Sequence, residues 1–210
     1  MSDPSISEAD RFYNTGVLQF NKRQFKKAKA LWAKAVEIDP EHYRSWTFLG
    51  VLSFDAGEIE QAIECYKKAL AVNPEYAACH NNLANAYRIT GNAEEAIRHY
   101  RRAVEILPFN ASYHYNLART FFDVGDYDSA ILEYRKAIIF EPQDAEAQLE
   151  LAETYYITGK EKKALEHFQI YLNLRPMAGN AFQVAAKIKL LEREAGSERR
   201  PAAGQGSVRT

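Results

Sequence analysis

Five prolines, Pro40, Pro74, Pro108, Pro142 and Pro176, stand in one register, each 34 residues after the last. A fixed period between about 20 and 50 residues marks an array whose repeats cannot bury their apolar faces without their neighbours. The ladder therefore limits the fold to a stack of similar elements and shifts attention from a buried reaction centre to a surface. Other positions keep the same beat: Ala28, Ala62, Ala96, Ala130 and Ala164; Trp32, Tyr66, Tyr100, Tyr134 and Phe168; Gly16, Gly50, Ala84, Ala118 and Ala152. Leu49, Leu83, Leu117 and Leu151 form a register headed by Thr15. Gly57, Gly91, Gly125 and Gly159 form another, in which Arg23 takes the first place.

Within a repeat, small and large residues recur at helical spacing, as in Trp46, Leu49, Gly50 and Ser53. Alanine at mid-helix lets two backbones approach, and the aromatic one turn later fills the gap beside it. A glycine between the paired helices can take positive φ and stop the first. The ladder proline ends the second, since it lacks an amide donor and clashes with the preceding turn. Two paired helices per repeat are predicted, with Ser7 capping the first and Asp10 three residues on.

These positions resemble the tetratricopeptide repeat family. Residues 43–76 carry the fullest version, with Trp46, Leu49, Gly50, Gly57, Ala62, Tyr66, Ala69 and Pro74, and the stretch Asn-Leu-Ala-Asn-Ala-Tyr at 82–87 reads close to the common form. The resemblance covers residues 9–176 and implies an all-α, right-handed α-solenoid of antiparallel helix pairs. The expected organisation is an N-terminal extension (1–7) and a single repeat domain (8–194) with repeats at about 9–42, 43–76, 77–110, 111–144 and 145–178. A capping helix at about 178–194 with a solvated outer face and a disordered tail at 195–210 complete it. Tyr171 stands where other repeats have alanine, so the last junction is expected to pack differently.

Composition agrees with an ordinary soluble protein: 47% apolar and 26% charged residues, with a net charge of −1. That balance argues against nucleic-acid binding, and no apolar run of about 18 residues suggests membrane insertion. The N-terminus shows no secretory signal, so a cytoplasmic setting is expected, with Cys65 and Cys79 reduced and packed at helix contacts. His80 and His114 share the register of Phe12 and Trp46 and read as packing residues. Cys65, His99 and His167 share a register but lie too far apart, repeat to repeat, for common metal ligation. No phosphate-cradling loop or nucleophile motif is present; neither a cofactor nor an enzymatic activity is expected. Six bases from Lys22 to Lys34 form a basic patch on the first repeat.

The resemblance implies that first helices line the concave side, and the register then selects groove-facing residues. They are Tyr13, Asn14 and Phe20 in repeat one, Arg44, Phe48 and Phe54 in repeat two, and Asn81, Asn82, Asn85 and Arg88 in repeat three. Tyr115, Asn116, Arg119 and Phe122 follow in repeat four, and Glu150 and Glu153 in repeat five. Asparagines can pair with both groups of a peptide bond, and arginine forks suit carboxylates or phosphates. Phe20, Phe54 and Phe122, with Tyr156, form a row of candidate anchors, and Glu146, Glu150 and Glu153 an acidic end. The register Asn14, Asn82, Asn116 is similar to the asparagine ladder in the repeat arms of O-linked N-acetylglucosamine transferases, though Phe48 and Glu150 interrupt it. The lysine and arginine pattern of heat-shock co-chaperones is not supplied. The expected function is a non-enzymatic scaffold or adaptor that binds a protein or peptide partner in its groove. The alternative is a structural element that homo-oligomerises through its ends or convex face.

Overall fold

A computed structural model describes residues 6–197, with side chains to residue 193, and among these residues it is all-helical. The helices are α1 (Glu8–Asn21), α2 (Phe25–Ile38), α3 (Tyr43–Asp55), α4 (Ile59–Val72), α5 (Ala77–Ile89) and α6 (Ala93–Ile106). They continue as α7 (Ala111–Asp123), α8 (Tyr127–Phe140), α9 (Ala145–Ile157), α10 (Glu161–Leu174) and α11 (Ala181–Ser197). The architecture is that of an α-solenoid of antiparallel helix pairs. The chain divides into two compact units, residues 1–120 and 121–210, at a boundary inside α7.

In the N-terminal unit, α1 packs on α2, α3 on α4 and α5 on α6, while α2 meets α3 and α4 meets α5. One core cluster joins Ala28 and Trp32 to Leu49, Leu52 and Cys65. The next joins Ala62, Tyr66 and Ala69 to Cys79, Leu83 and Ala86. The small register does what its spacing predicts: Gly50 sits so close to Tyr66 that an added Cβ would lie 2.5 Å from the ring. Both cysteines are buried and free, and burial pushes the Cys79 thiol up to about 12. Ser7 caps α1, accepting from the Asp10 amide at 3.0 Å and donating to its carboxylate at 2.6 Å.

The turns between paired helices have φ of +79°, +78°, +81° and +69° at Gly57, Gly91, Gly125 and Gly159, and Arg23 takes φ of +58° in the equivalent place. The ladder prolines also have a role that periodicity did not reveal. The carbonyl of Pro40 accepts from Trp46 Nε1 at 2.8 Å, that of Pro74 pairs with His80 Nε2 at 3.0 Å, and that of Pro108 with His114 Nε2 at 2.8 Å. Pro142 accepts from Gln148 Nε2 at 3.3 Å. Each clip ties the exposed end of one repeat to the first helix of the next. His80 and His114 are thus buried, as packing residues are, but they are held by polar contacts.

In the C-terminal unit, α8 packs on α9, α9 on α10 and α10 on α11. The capping helix runs Ala181–Ser197, beginning and ending three residues later than predicted. Tyr171 explains the offset: it is buried, and its hydroxyl donates to Asn180 Oδ1 in the α10–α11 link. The expected tail contributes residues 195–197 to α11; its remainder, and residues 1–5 of the extension, lie outside the described residues.

Candidate interaction groove

The predicted residues of the N-terminal unit fall into two neighbouring groups. On α5 and α7, Asn116 Nδ2 donates to Asn81 Oδ1 at 2.9 Å, and Asn81 Nδ2 reaches Asn82 Oδ1 at 3.5 Å. This amide chain fixes the orientation of all three side chains. Asn85, one turn beyond Asn82, accepts from the Tyr100 hydroxyl at 2.6 Å, so its carbonyl is committed to the fold and its Nδ2 is left to point outward. Arg88 and Tyr115 are half-buried on the same two helices, and Arg119 is exposed.

The second group is aromatic. Phe48 lies 4.8 Å from the Trp32 ring, 5.8 Å from Tyr13 and 6.1 Å from Phe20, while Phe20 contacts Phe25 at 5.4 Å. Of the expected row of anchors, Phe20 packs with the groove residues Tyr13 and Phe48 on the core around Trp32, and each ring stays partly exposed. Phe54 likewise packs on the neighbouring cluster. Arg44 lies over Tyr43, with its Nε 3.2 Å from the phenol oxygen, and Asn14 is exposed.

Between the two groups lies a cavity of about 200 Å3, lined by Val51, Phe54 and Asp55 of α3, Tyr66 of α4, and Asn82 and Asn85 of α5. Tyr66 is 2% exposed, and burial pushes its phenol pKa well up, keeping it a neutral donor. Tyr66 reads from its register as a packing residue, and periodicity gives no sign that it also borders a cavity. The signal that separates Tyr66 from its counterpart Tyr100 is the residue opposite, Val51 in one repeat and Asn85 in the next.

In the C-terminal unit the predicted residues are differently engaged. Phe122 packs edge-on against Tyr127 at 5.5 Å. The expected acidic end is offset within the fold, because Lys187 of α11 binds both Glu153 oxygens at 2.6 and 2.7 Å and lies over the Tyr156 ring. Lys187 thus lies half-buried against α9, on the helix expected to carry a solvated outer face. Glu150 is half-buried one turn before Glu153.

Among the described residues, no cluster of three or more His, Cys, Asp or Glu side chains is placed to hold a metal ion. No helix among them is long and apolar enough to cross a membrane.

Family models described as tetratricopeptide repeat match residues 13–64, 41–108 and 76–138, and one described as TPR repeat matches 118–159. No curated protein matches the sequence. Solved structures do match in fold. MamA superposes with a TM-score of 0.71 at 23% identity, covering 81% of this chain and 96% of that one. YrrB, described as a TPR protein with an unusual peptide-binding site, gives 0.73 at 20% identity, covering 85% and 92%. PilW, a type IV pilus biogenesis factor, gives 0.73 at 17% identity, covering 90% and 92%.

Proposed function

The chain belongs to the tetratricopeptide repeat family, and on that footing we propose that it is a non-enzymatic adaptor that holds a segment of a partner protein against the first helices of its N-terminal unit. Proteins of this family are generally interaction scaffolds, and YrrB is described as having a peptide-binding site. The observation that carries the reading is the amide chain on α5 and α7. It uses one N–H of Asn116 and the carbonyl of Asn81, leaving an N–H at Asn82 and a carbonyl at Asn116 unspent within the fold. A donor and an acceptor side by side complement the two groups of a peptide bond. Arg88, Tyr115 and Arg119 border this pair, and the part-exposed rings of Tyr13, Phe48 and Phe54 supply apolar contact. Affinity capture with the wild type and an Asn82, Asn116, Arg119 to Ala variant tests it. Undiminished partner recovery by the folded variant removes the groove reading.

Homo-oligomerisation is a second reading, favoured by one observation in the C-terminal unit. Helix α11 continues the register of a first helix, and on it and the turn before it Phe182 and Met177 are 84% and 93% exposed. Light scattering across a dilution series tests this; a monomer at every concentration removes it.

A further inference from the structure

The cavity lined by Tyr66, Asn82 and Asn85 has a chemistry more specific than a peptide track requires. Tyr66 belongs to a register whose next member, Tyr100, has its hydroxyl bound by Asn85. The residue opposite Tyr66 is Val51, which offers no acceptor. No described residue hydrogen-bonds the Tyr66 hydroxyl, although the ring is buried, so its donor is open to a partner from outside the fold. Tyr66 lines the cavity, and none of the other lining residues hydrogen-bonds its hydroxyl.

The other polar groups there fix what such a ligand must carry. Asn85 has its carbonyl engaged by Tyr100, so it can present only N–H groups to the cavity. Asn82 has its carbonyl turned to Asn81, which also leaves N–H groups. Three donors therefore converge: the Tyr66 hydroxyl and the two amide nitrogens. Asp55 lines the same cavity, is exposed, and forms no ion pair with a described residue, so it supplies a carboxylate acceptor. Val51 and Phe54 form the apolar wall.

We propose that this cavity is a side-chain pocket for a primary carboxamide, the side chain of a glutamine or asparagine in the bound segment. The carboxamide oxygen accepts from Tyr66 and Asn85, and its NH2 donates to Asp55, so donors and acceptors match on both sides. A carboxylate in the same place meets Asp55, a like-charge juxtaposition. An ammonium group meets three donors and only one acceptor. The volume, about 200 Å3, is below the roughly 300–1,000 Å3 of pockets that enclose drug-sized ligands, and suits a single side chain. The proposal rests on the groove reading above and adds the identity of one recognised residue.

The test is selection from a random-peptide display library against the full chain, keeping binders that the Asn82, Asn116, Arg119 to Ala variant fails to hold. The expected binders share a Gln or Asn whose replacement by Glu weakens binding about tenfold or more, since it sets a charge against Asp55 and strands a donor-acceptor pair. Against an Asp55→Asn protein the same replacement loses most of its effect. Tyr66→Phe, which keeps the ring, weakens the carboxamide peptide about threefold to tenfold and leaves the Glu peptide less affected. Groove-dependent binders with no shared carboxamide overturn the pocket and leave the groove reading standing. So does a Gln-to-Glu penalty that Asp55→Asn leaves unchanged, or full affinity in Tyr66→Phe. A library that yields no groove-dependent binder sinks both.

Discussion

The hydroxyl of Tyr100 donates to Asn85 Oδ1 at 2.6 Å, whereas Tyr66, one repeat earlier in the same register, faces Val51. Two tyrosines of equal burial thus differ in whether the fold satisfies them. Tyr100→Phe removes a hydrogen bond and leaves a half-buried carbonyl short of its donor, so a loss of about 1 kcal/mol is expected. Tyr66→Phe removes a hydroxyl that no described residue pairs, so stability should stay level within about 0.5 kcal/mol. Urea unfolding of the two variants measures the contrast, and equal losses would contradict it.

The cavity depends on how closely α3 approaches α4. An added Cβ at Gly50 would meet three Tyr66 ring atoms at 2.5, 2.7 and 3.0 Å. The ring is buried, so relief requires the ring or the helix to shift. Gly50→Ala should cost about 1–3 kcal/mol through overpacking, despite alanine's better helix propensity. Repeat three has Ala84 at this position opposite Tyr100, so the penalty reflects local spacing rather than the residue pair. A urea midpoint equal to wild type would show that α3 and α4 separate freely.

Arg23 holds φ of +58° at the turn where other repeats place glycine. A side chain in the left-handed region costs about 1–2 kcal/mol, partly offset because glycine also has more entropy to lose on folding. Arg23→Gly should therefore stabilise the chain by up to about 1 kcal/mol, seen as a raised denaturant midpoint with an unchanged slope. A lowered midpoint would mean that the arginine contributes an interaction beyond the turn.

The proline ladder made the helix pairs, their turns and the core register legible, because close packing repeats the same small and large residues at the same offsets. It could not show which polar groups the fold consumes. Asn82 and Asn116 share a register, yet Asn82 presents its carbonyl to Asn81 while Asn116 donates its amide to the same residue. Phe48 reads as a groove residue from its phase, but its ring lies 4.8 Å from that of Trp32. The capping helix reads as solvated on its outer face, and only the placement of α11 brings its Lys187 to Glu153. Register fixes a residue's phase on its helix; the length and partner of each side chain decide the rest.

The same limit produced the buried histidine pair, which carries the pH dependence of the N-terminal unit. His80 Nδ1 lies 2.8 Å from His99 Nδ1, His80 Nε2 pairs with the Pro74 carbonyl, and Arg98 lies 3.2 Å from His99 Nε2. The consistent pattern is Arg98 donating to His99, His99 to His80, and His80 to Pro74, with both rings neutral. Glu75, Glu95, Glu105 and Arg102 surround the pair, and Tyr87 stacks on His99. Burial holds both pKa values below 6.5, with Arg98 and then His80 adding to the effect on His99, which falls to about 4. Above pH 6.5 neither state binds these protons, so their contribution is complete there. As pH falls from 6.5 towards 4 the unfolded chain takes up protons that the folded one refuses, and stability declines. His80→Gln copies the C-terminal unit, where Gln148 donates to Pro142 and accepts from His167 at 2.7 Å. That variant should keep the clip and show a shallower loss over the same window, without abolishing it, since burial also lowers the His167 pKa. Urea midpoints from pH 7 down to pH 4 make the comparison, and an unchanged slope in the variant would remove the pair as the source.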